Sequence, residues 1–191
     1  EKLVIPKCLE LENLLLEIAR REKATIQVGR THGQHAVPIT FGFAMAEYVA
    51  RFGSRIEAIK ATSANLRGKI SGAVGAYNAS SLFFDDPMEF EEEVLWELGL
   101  KPAMYSNQIV EPEYLLDYMH TIVSAFGVLA NIADDIRHLQ RTEIGEVGEV
   151  FEAHQVGSST MPHKRNPWNF EHVKSMWKEF MPRMITLYQD Q

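Results

Sequence analysis

Two long stretches of the sequence carry apolar residues at alternating spacings of four and three, and this pattern constrains the fold more than any other feature. One stretch runs from about Thr40 to Leu66 and the other from about Glu111 to Gln140. Such spacing keeps the apolar side chains on one side of an α-helix and forms a heptad-like seam. The sequence therefore predicts two long helices, the second roughly 45 Å in length at ~1.5 Å per residue. The seam residues are Met45, Val49, Phe52, Ile56, Ile59, Ser63 and Leu66 in the first stretch and Leu115, Met119, Ile122, Phe126, Leu129, Ala133 and Ile136 in the second.

The second long helix carries an additional apolar stripe beside its seam, formed by Leu116, Val123 and Ala130. A helix with two apolar stripes has more than one neighbour. A chain of 191 residues does not cover both sides of such helices well. The pattern therefore favours an oligomeric bundle.

Three further helices are predicted, so the expected fold class is all-α, a bundle of long helices. Apolar periodicity indicates a helix from Lys7 to about Glu22. A capping box with proline at the first helical position starts another helix at Asp86, which should stop at Gly99. The last helix runs from Pro167 through about Leu187. A short extended stretch, Ala24 to Val28, leads into a polar, glycine-bearing segment that we expect not to be a packing element.

Composition excludes several classes of protein. The net charge of −7, from 19 basic and 26 acidic residues, argues against a nucleic-acid surface as the main function. The single cysteine, Cys8, rules out an internal disulfide and a multi-cysteine zinc site, so a reducing, cytoplasmic setting is expected. No apolar run approaches the ~18 residues of a membrane helix. Metal-binding, Walker and Rossmann patterns are absent from the sequence, so no cofactor is predicted.

Function is expected in the connections between helices, because the polar and glycine-bearing residues are concentrated there. Taken singly, the features have structural interpretations: His32 beside a glycine turn is more often a hydrogen-bonded structural residue, and Gln108 is as well explained by a bond to backbone. The glycines at 68, 72 and 75 are more simply turn-makers. Four connections carry this polar content, namely residues 29–38, 68–81, 105–108 and 157–167.

The 157–167 segment is less simply explained by structure alone than the other three connections, because two signals coincide in it. Its Gly-Ser-Ser start indicates a mobile, polar loop. Lys164 and Asn166 precede a predicted helix, with Asn166 as its N-cap and Pro167 at its first position. Ammonium, amide and unpaired backbone N–H groups can converge there on a carboxylate, or on charge that develops on an oxygen in a transition state.

Three segments resemble one known family. Gly157 to Pro167, with the sequence GSSTMPHKRNP, resembles the GSSxMPxKxNP segment of the fumarase/aspartase superfamily, and its MPHKRNP form is most similar to the adenylosuccinate lyase family. The residues from Arg30 to Gln34 resemble the Thr-His segment of the superfamily. The run GKISGAVG at 68–75 is similar to the GKI-x-GAVG run of adenylosuccinate lyases. The three segments occur in the family order and cover most of the chain.

The resemblance implies a lyase reaction without a cofactor. Enzymes of this family eliminate fumarate from a succinyl group by removing a proton from the carbon next to a carboxylate, through an aci-carboxylate intermediate. The substrates implied are adenylosuccinate, which gives AMP and fumarate, and the matching imidazole-carboxamide intermediate of purine synthesis.

By position in the matched segments, the resemblance also implies site residues. Ser158 matches the base on the mobile loop, and His32 matches the acid that protonates the leaving nitrogen. Glu171 matches the glutamate that orients this histidine, although alone it is an ordinary first-turn glutamate favoured by the helix dipole. The residues that match substrate contacts are Thr31, Gln108, Lys164 and Asn166.

Members of the family are longer at both ends, so residues 1–191 are expected to be the central helical domain of a longer protein. The resemblance implies a homotetramer whose active sites are each built from three subunits, and this chain alone should be inactive. Other interpretations stay open at this point. The chain could belong to another lyase of the superfamily (argininosuccinate lyase, fumarase or aspartase type) or to a carboxymuconate cycloisomerase. It could also be a non-catalytic oligomerisation domain.

Overall fold

The computed structural model describes residues 2–151 and 157–191 of the chain. Within these residues the prediction of a mostly helical fold is confirmed, with two small two-stranded sheets added to the helices. The helices are α1 (Val4–Arg21), α2 (Phe41–Ser63), α3 (Pro87–Glu97), α4 (Glu113–Leu139), α5 (Trp168–Phe180) and α6 (Arg183–Gln189), and the strands are β1 (Ile26–Thr31), β2 (Gln34–Thr40), β3 (Arg67–Gly68) and β4 (Lys101–Pro102).

The core lies along α2, which packs between α1 and α4. Phe52, Ile56 and Ile59 on α2 are each only 1% exposed. These side chains recur every three or four residues, so they form one continuous apolar stripe on the helix. The remaining buried members of the core are Leu15 and Ala19 from α1, Met45 and Tyr48 from α2, and Ala125, Val128, Ile132 and Ile136 from α4.

The predicted seam is confirmed in part for each long helix. On α2 the seam is buried from Met45 to Ser63, with Val49 partly exposed. On α4 the expectation for the start of the seam was wrong, because Leu115 is 52% exposed. The face of α4 that packs on α2 instead runs through Ala125 and Val128, where small side chains allow the helix axes to approach.

Polar contacts fix α2 against α4 in addition to apolar packing. The hydroxyl of Tyr48 donates a hydrogen bond to the Asp135 carboxylate. Burial, together with this hydrogen bond, raises the pKa of Tyr48 above its ordinary value, so the phenol stays protonated. Towards the other end of the pair, the Oγ1 atoms of Thr62 and Thr121 lie 3.0 Å apart. These contacts set the register between the two helices.

The polar segment after Val28 folds as a β-hairpin, so its interpretation as an irregular connection was wrong. Strands β1 and β2 pair antiparallel from Ile26 opposite Thr40 to Thr31 opposite Gln34. The turn residues His32 and Gly33 both have positive φ, +55° and +73°. Two consecutive residues of this kind form the tight turn whose twist matches a two-stranded ribbon. The hairpin therefore carries His32 at its tip.

The boundaries of α3 agree with the predicted signals. The Asp86 carboxylate accepts hydrogen bonds from the backbone N–H groups of Met88 (2.9 Å) and Glu89 (3.0 Å). Beyond the C-terminal end, Gly99 has a φ of +71°, which glycine adopts without steric strain.

The C-terminal helix differs from its prediction at both the start and the middle. The predicted single helix is divided into α5 and α6 around Pro182, which lacks the N–H needed to continue the ladder. At the start, Pro167 occupies the N-cap position and the helix begins at Trp168. Asn166 was therefore wrongly predicted as the N-cap, because its side-chain amide instead donates to the carbonyl of Gly157 at 3.2 Å.

One described helix, α4, is long and apolar enough to cross a membrane by length and composition, so the expectation of no such segment was too strict. The central helix of a globular core satisfies the same criteria. Helix α4 packs against α2, α5 and α6 and carries Asp134, Asp135 and Arg137 near its C-terminal end. We therefore interpret it as a core helix.

Candidate active site

A cleft of about 870 Å³ lies between the C-terminal end of α4 and the segment that leads into α5. It brings together three residues predicted from the sequence, Lys164, Asn166 and Glu171. The end of α4 contributes Arg137 and Arg141, which the sequence analysis did not identify. Arg137 lies on the last turn of α4 and Arg141 just after its C-cap residue Gln140, so no helix-face spacing links the two in the sequence.

The cleft is positively charged although the chain as a whole is negative. Four permanent cations line it, against two carboxylates, so positive charge exceeds negative by two when histidines are counted as neutral. The net charge of the chain is −7. A concave site that concentrates cations in this way attracts an anionic ligand. The cations are Arg137, Arg141, Lys164 and Arg165, and the carboxylates are Glu143 and Glu171.

Asp134 holds one wall of the cleft by joining α4 to α5. Its carboxylate accepts from the ammonium of Lys174 on α5 and from Arg137 Nη2 at 3.0 Å. Burial raises the pKa of Asp134, but the hydrogen bond and charge of Lys174 with the charge of Arg137 outweigh burial, and the pKa lies below its ordinary value. Arg137 Nε is buried without a hydrogen-bond partner in the part of the chain that the structure describes. Arg137 therefore retains a donor for another acceptor.

Ser158 lies beside this cleft, on a loop that the backbone holds close to Lys164. Its Oγ accepts hydrogen bonds from the N–H groups of Met161 (3.2 Å) and Thr160 (3.4 Å). Donors of this kind stabilise an alkoxide more than a neutral hydroxyl. A Cβ at Gly157 would collide with the carbonyl oxygen of Lys164, so only glycine permits this close approach. The GSS and KRN parts of the segment therefore lie against each other.

The start of α5 does not offer free N–H donors to a ligand, contrary to the prediction. Glu149 occupies it: its Oε1 accepts from the backbone N–H groups of Asn169 (3.0 Å) and Phe170 (3.2 Å). Its Oε2 accepts from the side-chain amide of Asn169 at 2.9 Å. Unpaired donors at a helix start bind the nearest anion, and here the chain itself supplies that anion.

Thr31 and His32 lie at the tip of the hairpin and are exposed. A non-glycine residue with positive φ, such as His32, is conformationally strained, and such strain is concentrated at functional sites. Among residues 2–151 and 157–191, no hydrogen bond or ion pair joins Thr31 or His32 to the cleft. Neither residue lines the cleft of its own chain.

Gln108 does not line the cleft and lies in a separate region, where the glycine-rich run packs on the 105–108 segment. The Oγ atoms of Ser71 and Ser106 are 2.9 Å apart. Gly75 has a φ of +71°, and a Cβ there would collide with the carbonyl oxygen of Ser106. Gly75 is therefore required by a close backbone approach, and Gln108 is exposed.

A buried glutamate supports the region where the glycine-rich run packs. Glu91 on α3 is 3% exposed, and its carboxylate accepts from the Tyr77 hydroxyl at 2.7 Å and from the backbone N–H of Ile70. Burial and the hydrogen bond to Glu91 raise the pKa of Tyr77 to about 12. Tyr77 has a φ of +54°, a conformation that these contacts hold in place.

An ion pair connects the hairpin to the connection after α4. Arg30 Nη2 donates to Glu146 Oε1 at 2.5 Å, and Gln27 Nε2 donates to Glu146 Oε2 at 3.1 Å. The hydrogen bond from Arg30 is the main reason that the pKa of Glu146 lies below its ordinary value of 4.5, against the opposing effect of burial. Glu146 therefore positions the base of the strand pair that carries His32.

The ion pair predicts acid-sensitive stability. Because the folded pKa of Glu146 is depressed, its contribution is complete above the ordinary value of 4.5 and is lost as the pH falls through the lower folded value. Glu146→Gln should therefore lower the free energy of unfolding at about pH 7 and change it little at about pH 3. Urea unfolding across this range measures the effect, with Glu143→Gln, an exposed glutamate of the same connection, as the control. Equal losses at both pH values would contradict this role.

The described residues contain no group of three or more histidine, cysteine, aspartate or glutamate side chains that could hold a metal ion. The site chemistry available from these residues is therefore that of cations, amides, a serine hydroxyl and an imidazole. Such groups can bind a carboxylate, stabilise an oxyanion and transfer protons.

Comparison with known proteins adds an independent observation. A family model described as Lyase matches residues 1–181 of the chain. The chain is similar to the adenylosuccinate lyase of Pyrococcus abyssi, with 44% identity over 165 residues, which are 86% of this chain and 36% of that protein. It is 37% identical over 190 residues to the adenylosuccinate lyase of Thermotoga maritima, covering 99% of this chain and 42% of that protein. With the adenylosuccinate lyase of Bacillus subtilis it shares 38% identity over 179 residues, 93% of this chain and 40% of that protein. The chain thus spans about two fifths of the length of these relatives.

Proposed function

The chain belongs to the lyase family of the fumarase/aspartase superfamily, and from this premise we propose that its protein eliminates fumarate from adenylosuccinate to give AMP. We propose the same reaction for the succinyl-carboxamide intermediate of purine biosynthesis. The observation that carries the proposal is the cationic cleft in which Lys164 and Asn166 meet. The names of its relatives at 37–44% identity support this choice of substrate.

The chemistry requires a site that stabilises extra negative charge. The proton to be removed lies next to a carboxylate and is weakly acidic, and its removal places a second negative charge on the carboxylate oxygens. The Lys164 ammonium and the Asn166 amide would bind this aci-carboxylate more strongly than the substrate, which lowers the barrier. The C–N bond then breaks, the electron pair leaves with nitrogen, and the new carbon–carbon double bond completes fumarate.

Ser158 is the proposed base and accepts the proton from carbon on its Oγ. A serine hydroxyl is a weak base, so the reaction requires an alkoxide stabilised by nearby donors. The N–H groups of Thr160 and Met161 and the neighbouring Lys164 support this role. Closure of the 157–167 loop over the substrate would exclude water and strengthen these interactions.

His32 is the proposed acid, and it donates a proton to the leaving nitrogen. Glu171 lines the cleft on the first turn of α5 and would orient the imidazole and stabilise its charged form. Since His32 and Thr31 lie away from the cleft of their own chain, we propose that a second copy supplies them. Gln108 would bind the substrate from a third copy, in a homotetramer with shared active sites.

The proposal also includes the setting of this domain. Residues 1–191 would be the central helical domain of a longer cytoplasmic protein, and the chain spans about two fifths of its relatives. We therefore expect the 191-residue chain alone to be inactive. No cofactor is proposed.

The direct test uses the protein expressed from its complete coding sequence. Incubation with adenylosuccinate should yield AMP and fumarate in equal amounts. Chromatography and the ultraviolet absorbance of fumarate measure the two products. Argininosuccinate, malate, aspartate and a carboxymuconate serve as competing substrates. Turnover of one of these without turnover of adenylosuccinate would reject our choice, and absence of every reaction from a correctly assembled protein would favour an oligomerisation domain.

A further inference from the structure

Glu149 occupies the start of α5 with both of its carboxylate oxygens. It accepts hydrogen bonds from two backbone N–H groups and one side-chain amide, at 2.9 to 3.2 Å. This glutamate lies twenty residues before Asn169, so the contact is a tertiary one and not a local helix cap. Neither the sequence motifs nor the proposed reaction assigns it a role.

Gln140, at the C-terminal end of α4, extends this contact to the loop. Its Oε1 accepts from the backbone N–H of Glu149 at 3.0 Å, and its Nε2 donates to the carbonyl of Arg165 at 3.2 Å. One amide therefore connects two backbone positions to the end of α4, Glu149 and Arg165, the latter lying between Lys164 and Asn166. Together, Glu149 and Gln140 connect the end of α4, the start of α5 and the backbone of Arg165.

We propose that Glu149 is a positioning residue for the substrate-carboxylate subsite, a proposal that rests on the proposed lyase function. Its carboxylate fixes the start of α5, and Pro167 restricts the backbone between that start and Asn166. The separation of Lys164 and Asn166 from Arg137 and Arg141 across the cleft is thereby fixed. Because Glu149 also neutralises the helix N-terminus, side chains alone bind the substrate anion.

A kinetic experiment distinguishes a positioning residue from a residue that only caps and stabilises a helix. Loss of a helix cap lowers stability without a change in the rate of the folded enzyme. Loss of a positioning contact also misplaces catalytic groups, and a displacement of about 1 Å can lower the rate ~100-fold. The kinetic constants of the folded protein therefore distinguish the two roles.

The experiment compares Glu149→Ala, Glu149→Gln and Asp86→Ala in the complete protein, at a temperature at which all three are folded. Asp86 caps α3 through two backbone N–H groups and is a matched control for loss of a cap. We expect kcat/KM for adenylosuccinate to fall about 10- to 100-fold in Glu149→Ala and to stay at the wild-type value in Asp86→Ala. Glu149→Gln should recover part of the loss, because its amide oxygen can still accept the two backbone hydrogen bonds but its NH2 group cannot accept from the Asn169 side chain.

Two further measurements do not depend on the loss of activity. Acetate should bind the helix start vacated in Glu149→Ala and raise its thermal midpoint, with no such effect on the wild type. Hydrogen exchange at the amides of residues 164–170 should be faster in Glu149→Ala than in the wild type.

The outcomes separate the two proposals. Wild-type turnover together with unchanged kcat/KM in Glu149→Ala would overturn the positioning role and leave the lyase function intact. Unchanged hydrogen exchange would overturn it whatever the activity. If the wild type does not release fumarate, the proposed function fails, and the positioning role for this substrate fails with it.

Discussion

Ser158→Ala is expected to abolish fumarate release by the complete protein while its fold and assembly remain intact. The substitution removes the Oγ that accepts the proton from carbon, and a positioned base contributes up to about 10⁴-fold in rate. We expect kcat to fall by at least about 10³-fold. Stability should change little, because among the described residues Oγ accepts from the nearby Thr160 and Met161 N–H groups alone, on a loop outside the helical core. The initial rate of fumarate formation and the molar mass by light scattering measure the two effects.

Ser159→Ala is the matched control for this prediction. Ser159 is next to Ser158 in the same loop and is exposed, and we assign it no catalytic role. Its replacement should leave kcat within about twofold of the wild type, as expected for a surface substitution. Retained activity in Ser158→Ala would remove Ser158 from the mechanism. Loss of activity in Ser159→Ala alone would transfer the role of base to Ser159.

Helix boundaries could be predicted where the stabilising groups are close in sequence. Thr40 was predicted to start the helix observed as α2, and its Oγ1 accepts from the Phe43 N–H at 3.2 Å. Asp86 and Gly99 likewise mark the ends of α3 through local contacts and a positive φ. A local signal suffices in these cases because both partners lie within a few residues.

Features that depend on tertiary contacts could not be predicted in the same way. The anion at the start of α5 is Glu149, separated from Asn169 by twenty residues, and no local pattern connects them. The hairpin was missed because its glycine and polar residues suggested a loop, although His32 and Gly33 supply the φ values of a tight turn. The exposed Leu115 shows that apolar periodicity identifies a helix but not which stripe its own chain covers.

The same distinction applies to the candidate site. Lys164 and Asn166 were predicted from their place before a helix start and Glu171 from the family resemblance, and the cleft contains all three. Arg137, on α4, and Arg141, just after it, are distant in sequence from the 157–167 segment, and only the fold brings them to the cleft. The roles of Thr31, His32 and Gln108 stay predictions, since their proposed partners lie on other copies of the chain.

Lys164→Met is expected to lower kcat/KM for adenylosuccinate by about 10²- to 10³-fold. Lys164 lines the cleft beside Asn166, where charge would develop on the carboxylate of the intermediate. Methionine keeps a flexible chain of similar length and removes the ammonium, so the packing changes little. Since the second negative charge exists only after the proton is removed, the loss should be larger in kcat/KM than in the affinity for fumarate. Steady-state kinetics and equilibrium binding of fumarate measure the two quantities.

Lys178→Met controls for the loss of one positive charge from the same region of sequence. Lys178 is exposed near the end of α5 and does not line the cleft. Its removal changes the net charge by the same amount, so any general electrostatic effect on substrate capture appears in both variants and weakens with salt. The effect specific to Lys164 should persist at high ionic strength, because a bound transition state in a closed site is screened little. Equal losses in the two variants would show that the ammonium of Lys164 acts through long-range charge and not as a contact to the reacting carboxylate.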